Sequence, residues 1–198
     1  MKPAAPSLRT SELAERLRLG EAVIFPTDTL PALAATPHHA EQLWRIKQRP
    51  ANKPVILMGA SADALWQALG VAPLPAWQTL AERHWPGALT LVLPASSRLT
   101  ALLNPGGASL GVRIPDCPAA LALLEASGPL ATTSANRSGE PPCLCAMDAR
   151  ERFPDVARLA PEPWPTPSGQ ASTVLAWEPV GQWRLLRAGD VLPHGITP

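Results

Sequence analysis

The sequence predicts an α/β fold: a single domain with one twisted, mixed sheet flanked by helices. Three observations lead there. Short apolar runs alternate with segments of helical periodicity through the first two thirds of the chain, the pattern of a sheet with crossover helices. Two strand-like runs near the C-terminus follow one another directly, which adds antiparallel pairing to the parallel part. At 198 residues, 46% of them hydrophobic, the chain is long enough to bury a sizeable core.

Each element follows from local signals. Thr10 caps a helix whose Leu13, Leu17 and Leu19 face inward and which Gly20 ends. Residues 22–25 form a short buried strand stopped by Pro26, and Thr27-Asp28-Thr29 is a polar loop at its end. Thr36 and Pro37 open a helix that carries Leu43, Trp44 and Ile46 and stops before Pro50. Residues 55–58 are a second strand. Ser61 caps a helix to about Leu69, and 73–84 is helical with Trp77 and Leu80 inward. Strands follow at 89–93 and, after a Gly106-Gly107 turn, at 110–114. Asp116 caps a helix over 119–124. A strand at 129–132 runs into Thr133-Ser134-Ala135-Asn136. A short helix spans 147–153, and a strand 156–159. The stretch PEPWPTP (161–167) is a stiff, extended surface loop, because each proline fixes its φ and bars the preceding residue from the helix. Residues 172–177 and 183–186 form the last strand pair. No repeat and no boundary interrupts residues 1–198, read as one domain.

Composition excludes several function classes. Seventeen basic and 16 acidic residues give a net charge of +1, which argues against a general nucleic-acid coat or a polybasic membrane binder. No apolar run approaches the roughly 18–20 residues that span a bilayer, and the N-terminus lacks the apolar core of a secretory signal, so a cytoplasmic location is expected. Three cysteines make no disulfide framework. Cys143 and Cys145 have no second pair to complete a metal site, so reduced, unligated thiols are expected. Lysine occurs only at positions 2, 47 and 53; the other basic residues are arginine.

Four places carry candidate chemistry. The strand end 25–29 sets hydroxyls and a carboxylate at a sheet edge, where open α/β sheets bind ligands; the same residues also make ordinary Asx and Thr turns. The stretch 46–54 sets Lys47, Arg49 and Lys53 at a helix end between prolines. The helix dipole accounts for one cation there, whereas a polyphosphate needs several converging donors. The run 132–139 gathers four hydroxyls, Asn136 and Arg137 after a strand, as an anion-wrapping loop or a surface turn would. Arg113 lies inside an apolar strand. By alternation it shares a face with Gly111, which either leaves room for a ligand or marks a bulge, and an arginine in a cleft suits a carboxylate. No P-loop, nucleophile elbow, zinc-protease motif or dinucleotide fingerprint occurs. Chemistry by positioning and charge neutralisation fits better than covalent catalysis.

In order along the chain, FPTDT (25–29), IKQRPANKPVIL (46–57), HWPGALTLVLPA (84–95), LGVRIPDCP (110–118), TTSANRSGEPP (132–142), STV (172–174) and LLRAG (185–189) resemble the YrdC family of threonylcarbamoyl-AMP synthases. The resemblance implies a YrdC-like sheet around a concave, positively lined cavity. It also implies a nucleotidyltransferase reaction: L-threonine, bicarbonate and ATP with Mg²⁺ give threonylcarbamoyl-AMP and pyrophosphate, with no bound transition metal. A downstream tRNA-modifying threonylcarbamoyl transferase complex would pass the group to adenosine 37 of tRNA. The K-x-R and S-x-N signature falls on Lys47, Arg49, Ser134 and Asn136, which the resemblance makes nucleotide-binding, Lys47 and Arg49 also catalytic. Lys53, Thr90 and Arg187 join the nucleotide side; Thr29, Arg113 and Thr173 become threonine contacts. The chain departs from the family at Leu30-Pro31-Ala32-Leu33, where an aromatic residue and then glycine usually follow P-T-[DE]-T. That departure places threonine use in question and gives an alternative: a catalytically impaired relative that binds nucleotide or, weakly, tRNA or double-stranded RNA. The chain ends soon after Arg187, as in the short, single-domain form.

Overall fold

Alternation along the strands decides what covers each face of the sheet. In the computed structural model, residues 4–50 and 52–196 are described; Lys2 and Ala51 lie outside them. The strands are β1 (Ser7–Leu8), β2 (Val23–Phe25), β3 (Ala32–Ala35), β4 (Ile56–Met58), β5 (Leu89–Pro94), β6 (Ser109–Arg113), β7 (Leu130–Ser134), β8 (Ala157–Leu159), β9 (Thr173–Trp177) and β10 (Trp183–Arg187). They form one sheet in the order β1-β8-β2-β3-β7-β4-β6-β5-β9-β10. Pairing is mixed: β4–β6 and β5–β9 are parallel, while β2–β3, β3–β7, β4–β7, β5–β6 and β9–β10 are antiparallel.

The helices are α1 (Thr10–Arg18), α2 (Glu41–Lys47), α3 (Ala62–Leu69), α4 (Pro75–His84), α5 (Arg98–Leu103), α6 (Pro118–Ser127) and α7 (Ala146–Arg152). On one face Ile24, Leu33, Leu57, Leu91, Val112 and Leu175 pack with Leu43, Leu65, Leu69, Trp77 and Leu103 from α2 to α5. On the other, Val23, Phe25, Ala32, Ala34, Met58 and Leu130 pack under Leu13, Leu17, Leu123 and Leu124 of α1 and α6. Each fully buried leucine or phenylalanine contributes roughly 1.5–3 kcal/mol. The helices α1 and α6 leave part of that second face uncovered, and a cavity lies there, lined from Ala32 of β3, Thr132 and Ser134 of β7, Ile56 and Met58 of β4, Thr90 of β5 and Arg113 of β6.

Several local expectations need correction. Arg9, not Thr10, is the N-cap of α1: Glu12 reaches back to the Arg9 backbone N–H at 2.9 Å. Leu13 and Leu17 are buried one turn apart, but Leu19 follows Leu17 by two residues, turns away, and is 68% exposed. Cys117 rather than Asp116 caps α6, with Pro118 at its first position. The strand expected at 129–132 extends to Ser134. Thr36 and Pro37 open a 3₁₀ turn (Pro37–His39) before α2 begins at Glu41. The elements β1, β3 and α5 were not expected. In β3 the run Ala-Leu-Ala-Ala has little strand propensity, and pairing with β2 and β7 on both sides overrides it. Ala32 and Leu33 of the departing stretch thus belong to a central strand.

The tryptophans pack. Trp66 stacks on Trp85, and Trp77, Trp177 and Trp183 form an edge-to-face series. Trp164, within the proline-rich stretch, is buried and donates to the Leu159 carbonyl at 2.7 Å, tying that loop to β8.

Candidate active site

The uncovered part of the sheet floors a cavity of about 210 Å³, and an adjoining hollow of about 230 Å³ shares Arg49 and Ser134 with it. Each alone is small for a ligand pocket, for which roughly 300–1,000 Å³ is usual, so the two read as lobes of one site.

Arg113 anchors the first lobe. Its strand carries Val112 into the apolar core and turns Arg113 to the open face, as alternation predicts. The guanidinium is 3% exposed and fully directed: Nε donates to the Gly87 carbonyl (2.9 Å), Nη1 to Thr29 Oγ1 (2.8 Å) and Nη2 to Asp28 Oδ1 (2.6 Å). Burial pulls its pKa below the ordinary arginine value, and the Asp28 carboxylate works against that shift. Arginine stays protonated throughout.

The loop that meets Arg113 is built by Thr27. Its Oγ1 donates to the Leu30 carbonyl (2.7 Å) and accepts from the Leu30 N–H (3.2 Å). The local turn and the functional role therefore coexist: Thr27 closes the turn, while Asp28 and Thr29 point to Arg113. Ser168 and Gly169 donate backbone N–H groups to the carbonyls of Asp28 (2.9 Å) and Thr29 (3.1 Å), clamping the loop from outside.

Gly111 does not leave room for a ligand. A Cβ there would fall 2.8 Å from Ile56 Cγ2, and it is Ile56 that fills the space and lines the cavity.

The second lobe is organised by Lys47. This side chain is 3% exposed, and Nζ donates to the carbonyls of Ser134 and Asn136 (both 2.6 Å) and to Asn136 Oδ1 (2.8 Å). Burial, with Arg49 nearby, pulls the ammonium down to about 8. Ser134 Oγ also donates to Asn136 Oδ1 (2.7 Å), and Asn136 Nδ2 donates to the carbonyls of Arg137 and Glu140. Lys47 and Asn136 thus shape the loop and line only the second lobe, with Lys53 at its rim.

Arg49 follows Gln48, whose φ of +53° turns the chain out of α2. Its Nη1 donates to Thr133 Oγ1 (3.3 Å) and Nη2 to the Pro54 carbonyl (3.0 Å), while its buried Nε has no partner among the described residues. Burial lowers its pKa and that of Arg187. Arg187 closes the far rim, donating to the Ser172 carbonyl (2.8 and 3.1 Å) and to Ser172 Oγ. Ser172 Oγ lies 2.8 Å from Thr90 Oγ1.

Thr173 is the expected contact that the fold keeps out of the cavity. It is fully buried, donates to the Val191 carbonyl, and accepts from the Gly189 N–H at 3.0 Å. Gly189 presses so close that a Cβ would meet the Ala171 carbonyl at 2.1 Å. The cavity hydroxyl from this segment is Ser172. Sequence reasoning did not single it out, although STV contains it; Thr132 and Thr133 were seen only as part of a cluster. Pro31 is buried outside both lobes, and its carbonyl accepts from the Ala135 N–H at 2.8 Å.

Three guanidinium groups, Arg49, Arg113 and Arg187, line one cavity, and among the described residues no carboxylate does. Fold and site together define an α/β protein with an arginine-lined cleft on an open sheet face. Known proteins narrow this. Residues 15–189 match the family described as Telomere recombination (Sua5_yciO_yrdC). The chain is 37% identical over 195 residues to the threonylcarbamoyl-AMP synthase of Bacillus subtilis (strain 168), covering 94% of this chain and 55% of that protein. It is 36% identical over 156 residues to the threonylcarbamoyl-AMP synthase of Halorhodospira halophila, covering 76% and 81%. The structure of P. abyssi Sua5 complexed with L-threonine superposes with a TM-score of 0.84 at 32% identity, covering 93% of this chain and 57% of that one. The chain belongs to the Sua5/YciO/YrdC family. It spans about half the length of the Bacillus and Pyrococcus proteins and about four fifths of the Halorhodospira one.

Proposed function

We propose that this chain is an L-threonylcarbamoyladenylate synthase, making threonylcarbamoyl-AMP and pyrophosphate from L-threonine, bicarbonate and MgATP. The observation that carries the reading is the convergence of Arg49, Arg113 and Arg187 on a cavity whose lining has no carboxylate among the described residues. Such a site attracts polyanions and stabilises charge that develops in phosphoryl transfer. Relatives named as this synthase and the threonine-bound Sua5 structure point the same way.

The roles follow the two lobes. Arg113, steered by Asp28 and Thr29, holds the threonine carboxylate at one end. Arg49, Ser134, Thr90 and Arg187 receive the nucleotide, with Lys53 adding charge at the rim. Lys47 and Asn136 hold the 134–140 loop in shape, and Thr173 sets the β9 end so that Ser172 and Arg187 reach the rim. Magnesium enters as part of the nucleotide substrate.

No enzyme nucleophile is required. The neutral threonine amine and bicarbonate condense to a carbamate, releasing water. A carbamate oxygen then attacks the α-phosphorus; an O–P bond forms, the α–β bridging bond breaks, and its electron pair leaves with pyrophosphate. Close placement of two bound anions by fixed cations is the catalytic device. The product would serve a cytoplasmic complex that modifies adenosine 37 of tRNA. Pro31 is buried away from both lobes, while Leu30 and Ala32 of the departing stretch line the first lobe; Arg49, Arg113 and Arg187 still converge beside them, which favours an active enzyme over an impaired, RNA-binding relative.

The test is pyrophosphate release by purified protein with MgATP, with and without bicarbonate and L-threonine. Release that requires both supports the reading. ATP binding without release overturns it and leaves the nucleotide- or RNA-binding relative.

A further inference from the structure

The cavity contains one hydroxyl that the proposed roles do not use. Thr132, on β7, is 1% exposed, lines the cavity, and has no hydrogen-bond partner for Oγ1 among the described residues. Every other hydroxyl on the cavity wall is engaged: Thr29 with Arg113, Thr90 with Ser172, Thr133 with Arg49, and Ser134 with Asn136. A buried hydroxyl without a partner is unfavourable, and the rarity of such groups in folded proteins calls for an explanation.

Its position supplies one. Thr132 lies two residues before Ser134 on the same strand, so both face the cavity. It stands opposite Ala34 on β3 and Ile56 on β4. Arg113 and Thr29 mark the end proposed for the carboxylate; Arg49 and Ser134 mark the nucleotide end. The substrate atoms that must bridge these ends are the threonine nitrogen and the CO₂ unit joined to it. Around Thr132 the floor is otherwise apolar, with Ala32, Ile56 and Met58. A hydroxyl is suited to such a place. It donates to a carbamate oxygen without adding a charge that would hold the carbamate back from the α-phosphate.

We propose that Thr132 Oγ1 donates a hydrogen bond to the carbamate, fixing the oxygen that does not attack and leaving the other free for the α-phosphorus. This rests on the synthase reading and assigns the bicarbonate-derived group a place within it. In the step concerned, the neutral amine nitrogen forms a bond to the bicarbonate carbon, one amine proton leaves with the bicarbonate hydroxyl as water, and the negative charge resides on the two carbamate oxygens. Thr132 contributes only its hydrogen bond.

The experiment compares T132V, which keeps the branched shape and removes the hydroxyl, with T132S, which keeps the hydroxyl. Bicarbonate KM is measured at saturating threonine and MgATP, and threonine and ATP affinities are measured by calorimetry without bicarbonate. The expected result is a rise of about tenfold in bicarbonate KM for T132V, with both affinities unchanged, and a wild-type value for T132S. The thermal midpoint of T132V is expected to be equal to or above wild type, because an unpaired buried hydroxyl is gone. Should valine not fold, T132A carries the same expectation. An unchanged bicarbonate KM overturns the assignment, and so does an equal loss of threonine affinity, which would move the hydroxyl to the amino acid itself. A wild-type protein that releases no pyrophosphate would instead overturn the functional reading on which the proposal rests.

Discussion

Replacing Arg113 with lysine separates charge from geometry at the proposed carboxylate site. The arginine sends three bonds in three directions, to Gly87, Thr29 and Asp28. A lysine ammonium on a longer, flexible stem keeps the ion pair with Asp28 but cannot reproduce the planar fork. Thr29 and the Gly87 carbonyl then lose a charged donor, which lowers stability by about 2–4 kcal/mol at about 1.5–3 kcal/mol for each charged bond less what the ammonium recovers. The substrate carboxylate loses the second prong of a bidentate contact. One charge-assisted bond of about 1.5–3 kcal/mol, at about 1.4 kcal/mol per tenfold, predicts a rise in threonine KM of about 10- to 150-fold. ATP affinity depends on Arg49 and Arg187 and stays within about threefold. The assay is threonine KM by pyrophosphate release at saturating MgATP and bicarbonate, well below the unfolding midpoint, with ATP affinity by calorimetry. A threonine KM within threefold of wild type would refute the placement of the carboxylate on Arg113.

Arg49→Ala is expected to abolish measurable ATP binding; retained affinity in calorimetry would remove Arg49 from the nucleotide site. The Lys47 ammonium, pulled to about 8 by burial and Arg49, is roughly nine-tenths deprotonated at pH 9. Nucleotide affinity that needs the charged form should then fall by about tenfold between pH 7 and 9, and a flat profile over that range speaks against such a need. Because the folded value lies below the ordinary 10.5, the unfolded chain binds more protons between about pH 8 and 10.5. This group therefore adds stability as pH rises through that window, opposite in sign to its effect on binding; denaturant titrations at pH 8 and 10 read the difference against Lys47→Met. Gly111→Ala places a methyl 2.8 Å from Ile56 Cγ2, so Ile56 must shift. Overpacking of about 1–3 kcal/mol, less up to about 1 kcal/mol regained from lost glycine entropy, predicts net destabilisation, with a midpoint equal to wild type as the contrary result.

Much of the site was legible because charge in an unusual place is visible in sequence. Arg113 stands out inside an apolar strand, and two-residue alternation alone assigns it to the face opposite Val112. Lys47 and Arg49 stand out as cations at a helix end. What stayed hidden depends on single-residue offsets or on tertiary pairing. STV offers two adjacent hydroxyls, and only the start of β9 decides that Ser172 meets the cavity while Thr173 turns to Gly189 and Val191. The strand β3 is invisible because alanines carry little strand preference until two neighbours pair with them. Lys47 reads as a ligand contact in sequence, yet all three of its bonds go to the 134–136 segment, a partner 87 to 89 residues away that local pattern does not reveal.

The clamp of Ser168 and Gly169 on the Asp28–Thr29 loop joins the two ends of the chain. The turn that steers Arg113 forms near the N-terminus, yet its outer side is closed by backbone donors that emerge some 140 residues later. During synthesis, the first 160 residues contain every strand between β1 and β8 but lack the latch, along with Ser172 and Arg187 at the opposite rim. An incomplete chain therefore lacks a finished cavity, however much of its sheet has paired.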